Sequence, residues 1–289
     1  MEYYYNFCGV PFRVAAPTPL WEDEHSPKFA CAPCAPAVNI EITSSPQLPT
    51  PTGTLLGRRG EKHIWRDGET VTRLTQDIFR NTPHMLCTYQ LSHPEAVRCI
   101  ARQEDWRWAT RSGFLWPGVS LPQLLLYHRA LVFHASYVAH EGRAILFTAP
   151  SQTGKSTQAS LWEKHRGAQV LNGDKAAVRL GERPMVYGMP FSGTSGICEN
   201  VSMPLGCIVV LSQAKENTVR RLGVQEALSL LSPNVFSDQL ISEEWQKTLL
   251  LLLDLVAAVP IYSLACTPDV RAVETLEAAM ARDGLQISH

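Results

Sequence analysis

The chain carries no surplus of basic charge, no apolar run long enough to cross a bilayer, and no second cysteine pair to match its one close-spaced pair. Lys and Arg number 26 against 27 Asp and Glu, a formal net charge of −1. A dedicated nucleic-acid binder normally shows a basic excess on at least one face, so nucleic acid is not expected as the main partner. The most apolar segment is Leu249–Leu253, followed after Asp254 by Leu255–Val259. It falls short of the about 20 residues a membrane-spanning helix requires, so a buried helix and no membrane partner are expected. The opening MEYYYNFCGVPFRV lacks the basic leader, apolar core and cleavage site of a secretory signal. A cytoplasmic location is expected on that ground.

Eight cysteines are scattered along the chain. Without a secretory leader they are expected to be reduced thiols. Cys31 and Cys34 form C-A-P-C in a proline-rich stretch. A zinc site needs two such pairs, or histidines at ligand spacing. Completion of a metal site in space by Cys87 or Cys99 is the weaker reading; a flexible loop with two free thiols is the expectation.

What is present is the composition of a folded protein. Of 289 residues, 45% are apolar and 18% charged, which excludes disorder of the whole chain. The length fits one large domain or two modest ones. The first part is strand-rich and broken by prolines. Tyr3–Val14 alternates like one strand, Asn39–Thr43 like another, and Lys62–Arg66 and Thr70–Thr75 are joined at Asp67-Gly68, a strong hairpin signal. His84–Leu91 and Ala96–Arg102 continue the series. Trp106, Trp108 and Trp116 have strand-like spacing, with core packing as their expected use.

Pro122 can open a helix continuing through Gln123–Ala130 and joining two halves. After it the pattern mixes strands (Val132–Val138, Ala144–Thr148, Ala168–Asn172, Ala176–Leu180, Cys207–Leu211, Ile261–Ala265) with helices (Ser156–Lys164, Ser242–Val259, Pro268–Arg282). That mixture is α/β. A β-rich domain over residues 1–120 and an α/β domain over 121–289 are expected.

The most informative segment is Ala144–Trp162, in which an apolar strand runs through APSQTGKST into a helix. The last residues match the phosphate-loop pattern GxxxxGK[ST], with Ala149 in place of its first glycine. A loop entering a helix turns several backbone N–H groups into one concavity, where the helix dipole favours an anion. Ser151, Gln152, Thr153, Gly154, Lys155, Ser156 and Thr157 are therefore candidates for binding ATP. Gly154 is expected to clear space for close approach, Lys155 to place a charge on the β- and γ-phosphates, and Ser156 to offer its hydroxyl to Mg²⁺. Ala149 implies a first turn that does not need positive φ.

Val132–Thr157 and the acidic segment Val170–Leu180 resemble the HPr kinase and phosphoenolpyruvate carboxykinase group, and Val186–Leu211 resembles HPr-kinase-like proteins of peptide-modification operons. The resemblance covers the C-terminal part of the chain. It implies a P-loop kinase domain of that type, preceded by the small β-rich domain. It implies an ATP- and Mg²⁺-dependent kinase acting on a Ser or Thr hydroxyl of a small protein or ribosomal peptide, and assembly as a homo-oligomer. His134 falls where the group has a histidine near the phosphate and the catalytic acid, and Asp174 falls on an acidic pair that supplies a general base and a metal ligand. Here that pair reads Gly173-Asp174-Lys175: either Lys175 replaces the second acid or Gly173 the first. The expected catalytic residues are Asp174, His134 and Lys155, and the expected metal ligands Ser156 and Asp174, with Asp174 as base or ligand left open.

Lys175 has two readings, a charge for the transferring group or a solvated residue at a strand end. Tyr187–Gly196 is expected to border the acceptor site, and Arg220-Arg221 to be an exposed pair. A small-molecule hydroxyl is the alternative acceptor. A nucleotide-binding module without catalysis is the alternative of a different class, favoured by Ala149 and the incomplete acidic pair.

Overall fold

The computed structural model describes every residue except Glu22, Ile78, Phe79, Asn81 and residues 286–289. The described residues form an α/β protein with two sheets, and the chain divides into two compact units. The first unit runs Met1–His128, past the expected limit at residue 120, and takes in Asp238–Trp245. The second comprises Arg129–Ser237 and Gln246–His289.

The first unit holds strands β1 (Glu2–Phe7), β2 (Val10–Ala15), β3 (Val38–Ser45), β4 (Thr54–Arg59), β5 (Lys62–Asp67), β6 (Thr70–Asp77), β7 (Thr82–Gln90) and β8 (His93–Arg102). They lie side by side in the order β1-β2-β3-β8-β7-β6-β5-β4. The pairs β2–β3 and β3–β8 are parallel, and β8 to β4 form an antiparallel meander. The single strand expected over Tyr3–Val14 is a hairpin instead. Cys8 and Gly9 both take positive φ (57° and 73°), which reverses the chain while the apolar alternation resumes in β2.

Three short helices follow: α1 (Trp106–Ala109), α2 (Ser112–Gly118) and α3 (Leu121–Leu126). The tryptophans with strand-like spacing therefore sit on helices. Spacing alone does not distinguish two residues along a strand from two around a short turn. Trp116 is fully buried, with its ring centroid 4.9 Å from that of Tyr5 and 4.6 Å from that of Phe7. The joining helix expected through Ala130 stops at Leu126, and Arg129 takes positive φ (60°) before the next strand begins at Ala130.

A buried ionic cluster ties Asp238–Trp245 into this unit. Arg73 is fully buried and bonds Glu244 at 2.6 Å, Asp238 at 3.3 Å and the Tyr89 hydroxyl. Burial opposes its charge, but Glu244, Tyr89 and Asp238 more than offset that and raise its pKa.

The second unit holds β9 (Ala130–His140), β10 (Arg143–Thr148), α4 (Lys155–Arg166), β11 (Gln169–Asn172), β12 (Lys175–Arg179), β13 (Met185–Gly188), β14 (Ser202–Gln213), β15 (Thr218–Arg221), α5 (Val224–Leu231), α6 (Ser242–Ala258), β16 (Ile261–Cys266) and α7 (Val270–Arg282). The first turn of α6 counts with the first unit. The strand order is β10-β9-β12-β13-β14-β16-β15, with β11 on β9 and β10 also parallel to β14. Two long strands each serve more than one partner. Residues 130–134 of β9 pair with β12, and 135–140 pair with β10. Residues 202–204 of β14 pair with β13, and 208–213 with β16.

Trp162 of α4 is fully buried in a core with Phe147, Val209, Leu264 and Leu276. Gly167 ends α4 at φ 63°, donating from its N–H to the Glu163 carbonyl, after a basic last turn. Helix α6 is not the fully buried helix expected. Leu249, Leu250 and Leu253 are exposed while Leu252 and Leu255 are fully buried. A run of consecutive leucines turns through the whole circumference of a helix, so part of it must face outward. Among the described residues, no helix is long and apolar enough to cross a membrane.

Candidate functional site

The site forms on β9, which carries β10 on one edge and the β11–β12 run on the other. His134 is the last β9 residue paired with β12, opposite Lys175. Ala135 is the last paired with β10, opposite Thr148. The chain leaves Thr148 and enters Lys175 at adjacent levels of β9 but on its opposite edges, and the Asp174 charge acts on Lys155 between the two turns.

The first wall is the loop from Ala149 to Gly154. Ala149 is fully buried and packs with Phe147, Ala159 and Trp162. Its methyl group belongs to the core and its φ is not positive, which accounts for alanine where the pattern has glycine. Gln152 (φ 65°) and Gly154 (φ 114°) turn the chain into α4. A Cβ at Gly154 would meet nothing within 4 Å, so glycine is needed there for its backbone angle rather than for clearance within the protein. Lys155 is buried, and its ammonium donates to the carbonyls of Ala149 (3.0 Å) and Pro150 (3.2 Å), curling back over its own loop. Desolvation lowers its pKa, and the Asp174 charge opposes that. Ser151, Gln152, Ser156 and Thr157 are exposed and Thr153 is half-buried; the Gln152 carbonyl accepts from Gln213 at 3.3 Å.

The second wall is the turn Asn172–Lys175. Asn172 is fully buried and acts as its strut. Its Oδ1 accepts from the N–H groups of Asp174 and Lys175, both at 3.0 Å, and its Nδ2 donates to the Met189 carbonyl at 2.9 Å. The Ala135 N–H donates to the Asp174 carbonyl at 3.0 Å. With its backbone held on both sides, Asp174 directs its carboxylate between His134 and Lys175. Oδ1 lies 3.5 Å from His134 Nε2, and Oδ2 lies 3.4 Å from Lys175 Nζ. Burial pushes the Asp174 pKa up, but His134 and Lys175 together outweigh it and the net shift is downward.

Lys175 is not solvated. Its ammonium lies 4.3 Å from the centre of the Phe191 ring and 4.9 Å from that of Phe236, held between two π faces. Sequence reasoning missed both phenylalanines and Asn172. Asn172 two residues before Asp174 was a legible turn signal, but nothing in the sequence ties Phe236 to residue 175.

The loop after β13 closes the second wall. A Cβ on Gly173 would fall 2.1 Å from Ser195 Oγ, and one on Gly193 would fall 2.6 Å from Asp174 Cβ. Tyr187–Gly196 thus lies against the acidic turn. With the loop as it stands, a side chain at position 173 would meet Ser195. Arg220 pairs with Glu226 and is apart from this arrangement.

The phosphate loop fits an anion. It offers the N-terminus of a 12-residue helix, a buried ammonium and an open face at Gly154. For Mg²⁺ the protein's donors would be the Ser156 hydroxyl and the Asp174 carboxylate. Two oxygen donors are the share a protein usually supplies beside phosphate oxygens, and a carboxylate with contacts at 3.4 and 3.5 Å retains lone pairs for a third partner. Among the described residues no group of three or more His, Cys, Asp or Glu could hold a metal by itself.

No family model matches the chain, and no curated protein matches it in sequence. Among solved structures it is similar to one described as the Hpr(Ser) kinase/phosphatase from Coxiella burnetii, over 53% of this chain and 95% of that one, at 10% identity and a TM-score of 0.29. The likeness is a distant one.

Proposed function

We propose that the second unit binds ATP with Mg²⁺ and transfers the γ-phosphoryl group to a hydroxyl, that of a Ser or Thr on a small protein or ribosomally made peptide. The observation that carries this reading is the approach of the Lys155 loop and the His134–Asp174 pair, close enough for the Asp174 charge to act on Lys155.

In this reading Lys155 releases its loop carbonyls and bonds the β- and γ-phosphates, joined by the backbone N–H groups that open α4. Magnesium, held by Ser156 and Asp174, would neutralise charge on the phosphate oxygens. The acceptor oxygen bonds to the γ-phosphorus as the bond to the ADP oxygen breaks, and the acceptor proton passes to Asp174. The transition state is loose, so the proton moves late and a carboxylate of depressed pKa suffices. His134 fixes one carboxylate oxygen. Lys175, clasped by Phe191 and Phe236, fixes the other and adds positive charge beside the transferring group.

A second reading is favoured by one feature: both oxygens of the Asp174 carboxylate are already engaged, one by His134 and the other by Lys175. Nucleotide binding without transfer, as in a sensor or partner module, fits such a site. A small-molecule hydroxyl remains the alternative acceptor.

The test is mass spectrometry of the chain with Mg-ATP and candidate acceptors, peptides encoded by neighbouring genes first and hydroxyl metabolites second. Lys155→Ala serves as control, with nucleotide affinity measured separately by calorimetry. Phosphate gained by a peptide and lost with Lys155→Ala supports the proposal. Gain on a metabolite alone moves the acceptor. Binding without any gain favours the sensor. Lys155→Ala should weaken ATP binding by about 10–100-fold, the worth of a charge-assisted hydrogen bond; unchanged affinity would remove the phosphate loop from the account.

A further inference from the structure

The cysteine pair of the first unit is not the flexible loop expected from its prolines. Ala30 bridges to Tyr5, and the Cys31 N–H donates to the Tyr4 carbonyl at 2.9 Å, so Cys31 is pinned to the edge of β1. Pro33, between the two cysteines, restricts φ. The Cys34 thiol stands near enough to Cys31 to help raise its pKa. Cys34 is exposed and Cys31 half-buried. Cys31 and Pro33 also line a cavity of about 280 Å³ with Tyr4, Trp21 and Pro27.

The contrast with the other thiols is informative. Cys87 and Cys99 face each other across β7 and β8, but both are fully buried. Cys8, Cys198 and Cys207 are buried, and Cys266 accepts from Gln158. Among the described residues, only Cys31 and Cys34 combine a partner thiol with access to solvent. Two thiols are half of a structural zinc site, and no third or fourth ligand gathers around them.

We propose that Cys31 and Cys34 form a thiol–disulfide exchange site that reacts with small-molecule disulfides, Cys34 entering and Cys31 resolving. The Cys34 thiolate attacks one sulfur of the small disulfide. That S–S bond breaks, a mixed disulfide forms on Cys34, and one small thiol leaves with a proton. Cys31 then loses its proton and attacks the Cys34 sulfur, expelling the second small thiol and closing the Cys31–Cys34 bond. Two protein thiols are oxidised and one disulfide is reduced to two thiols. The order follows from access: the exposed sulfur meets the reagent, and the pinned one waits beside it. Burial and the neighbouring thiol push the Cys31 pKa up, which agrees with its acting second.

The experiment treats the full chain with excess oxidised glutathione and maps its peptides by mass spectrometry without reduction. The peptide holding Cys31 and Cys34 should lose two hydrogens and regain them with dithiothreitol, while Cys87 and Cys99 stay thiols. Cys31→Ser should accumulate glutathione on Cys34. Cys34→Ser should slow modification at residue 31 by about tenfold or more, since reaction follows thiolate access. The proposal is overturned if both cysteines stay thiols in the native chain, if glutathione accumulates on wild-type Cys34 without closure, or if the native chain retains zinc that Cys34→Ser loses.

Discussion

Lys175 stands opposite His134 across β9 and β12, and its ammonium lies 3.4 Å from Asp174 Oδ2. A cation held between two aromatic rings thus faces one carboxylate oxygen while a histidine faces the other. The arrangement fixes Asp174 and holds its pKa below the usual carboxylate value.

Replacing Lys175 with Met keeps the stem and removes the charge. The Asp174 pKa should then rise, read by NMR titration of its carboxyl. A depressed carboxylate contributes stability above its unfolded pKa, lost as pH falls through the folded value. Lys175→Met should therefore lower neutral-pH stability by up to about 1 kcal/mol, the range of partly exposed pairs, and flatten the loss at acid pH. An unmoved Asp174 titration would mean that the pair is geometric only.

Gly173→Ala should destabilise the second unit by about 1–3 kcal/mol, because the new methyl group meets Ser195. Ser195→Gly removes the atoms it meets. The double variant should recover part of the loss, measured as a positive coupling in urea denaturation. Strict additivity would place the cost in the turn itself.

Arg73→Met should cost the first unit about 3–5 kcal/mol by stranding buried carboxylates at Glu244 and Asp238. Adding Glu244→Gln and Asp238→Asn should restore much of it. Denaturation midpoints followed by tryptophan fluorescence give the comparison, and a null effect of Arg73→Met would show the cluster to be solvated.

His84 is buried, and among the described residues neither ring nitrogen has a hydrogen-bond partner. Desolvation lowers its pKa despite the opposing charges of Asp77, Asp105 and Glu61, and Lys62 adds to the lowering. The unfolded chain then takes up the proton first, so stability present above about pH 6.5 falls as pH drops below it. His84→Met should reduce the slope of stability between about pH 7 and about pH 5. Equal slopes would assign acid sensitivity to other groups.

Much of the architecture was legible because it is local. Alternation marked β3, β5 and β7, the apolar run marked β14, and turn chemistry placed the β5–β6 reversal. What failed locally failed for physical reasons. Two positive-φ residues at Cys8 and Gly9 hide a hairpin inside one alternating run. The four-residue β13 and β15 have too few residues to show a period.

By itself, the sequence determined the turn from β10 into α4, since GKST after an apolar strand needs only its own backbone and the helix that follows. It also put Asn172, Asp174 and Lys175 in one turn, because an Asn side chain bonds backbone a few residues on. Only the tertiary structure decided what those residues face. The pairing of β11 and β12 along one edge of β9 brings Asp174 to His134, the loop after β13 fills the space at Gly173, and Phe236 reaches Lys175 from 61 positions along the chain. Such contacts depend on strand order and register, which pattern within a segment does not encode.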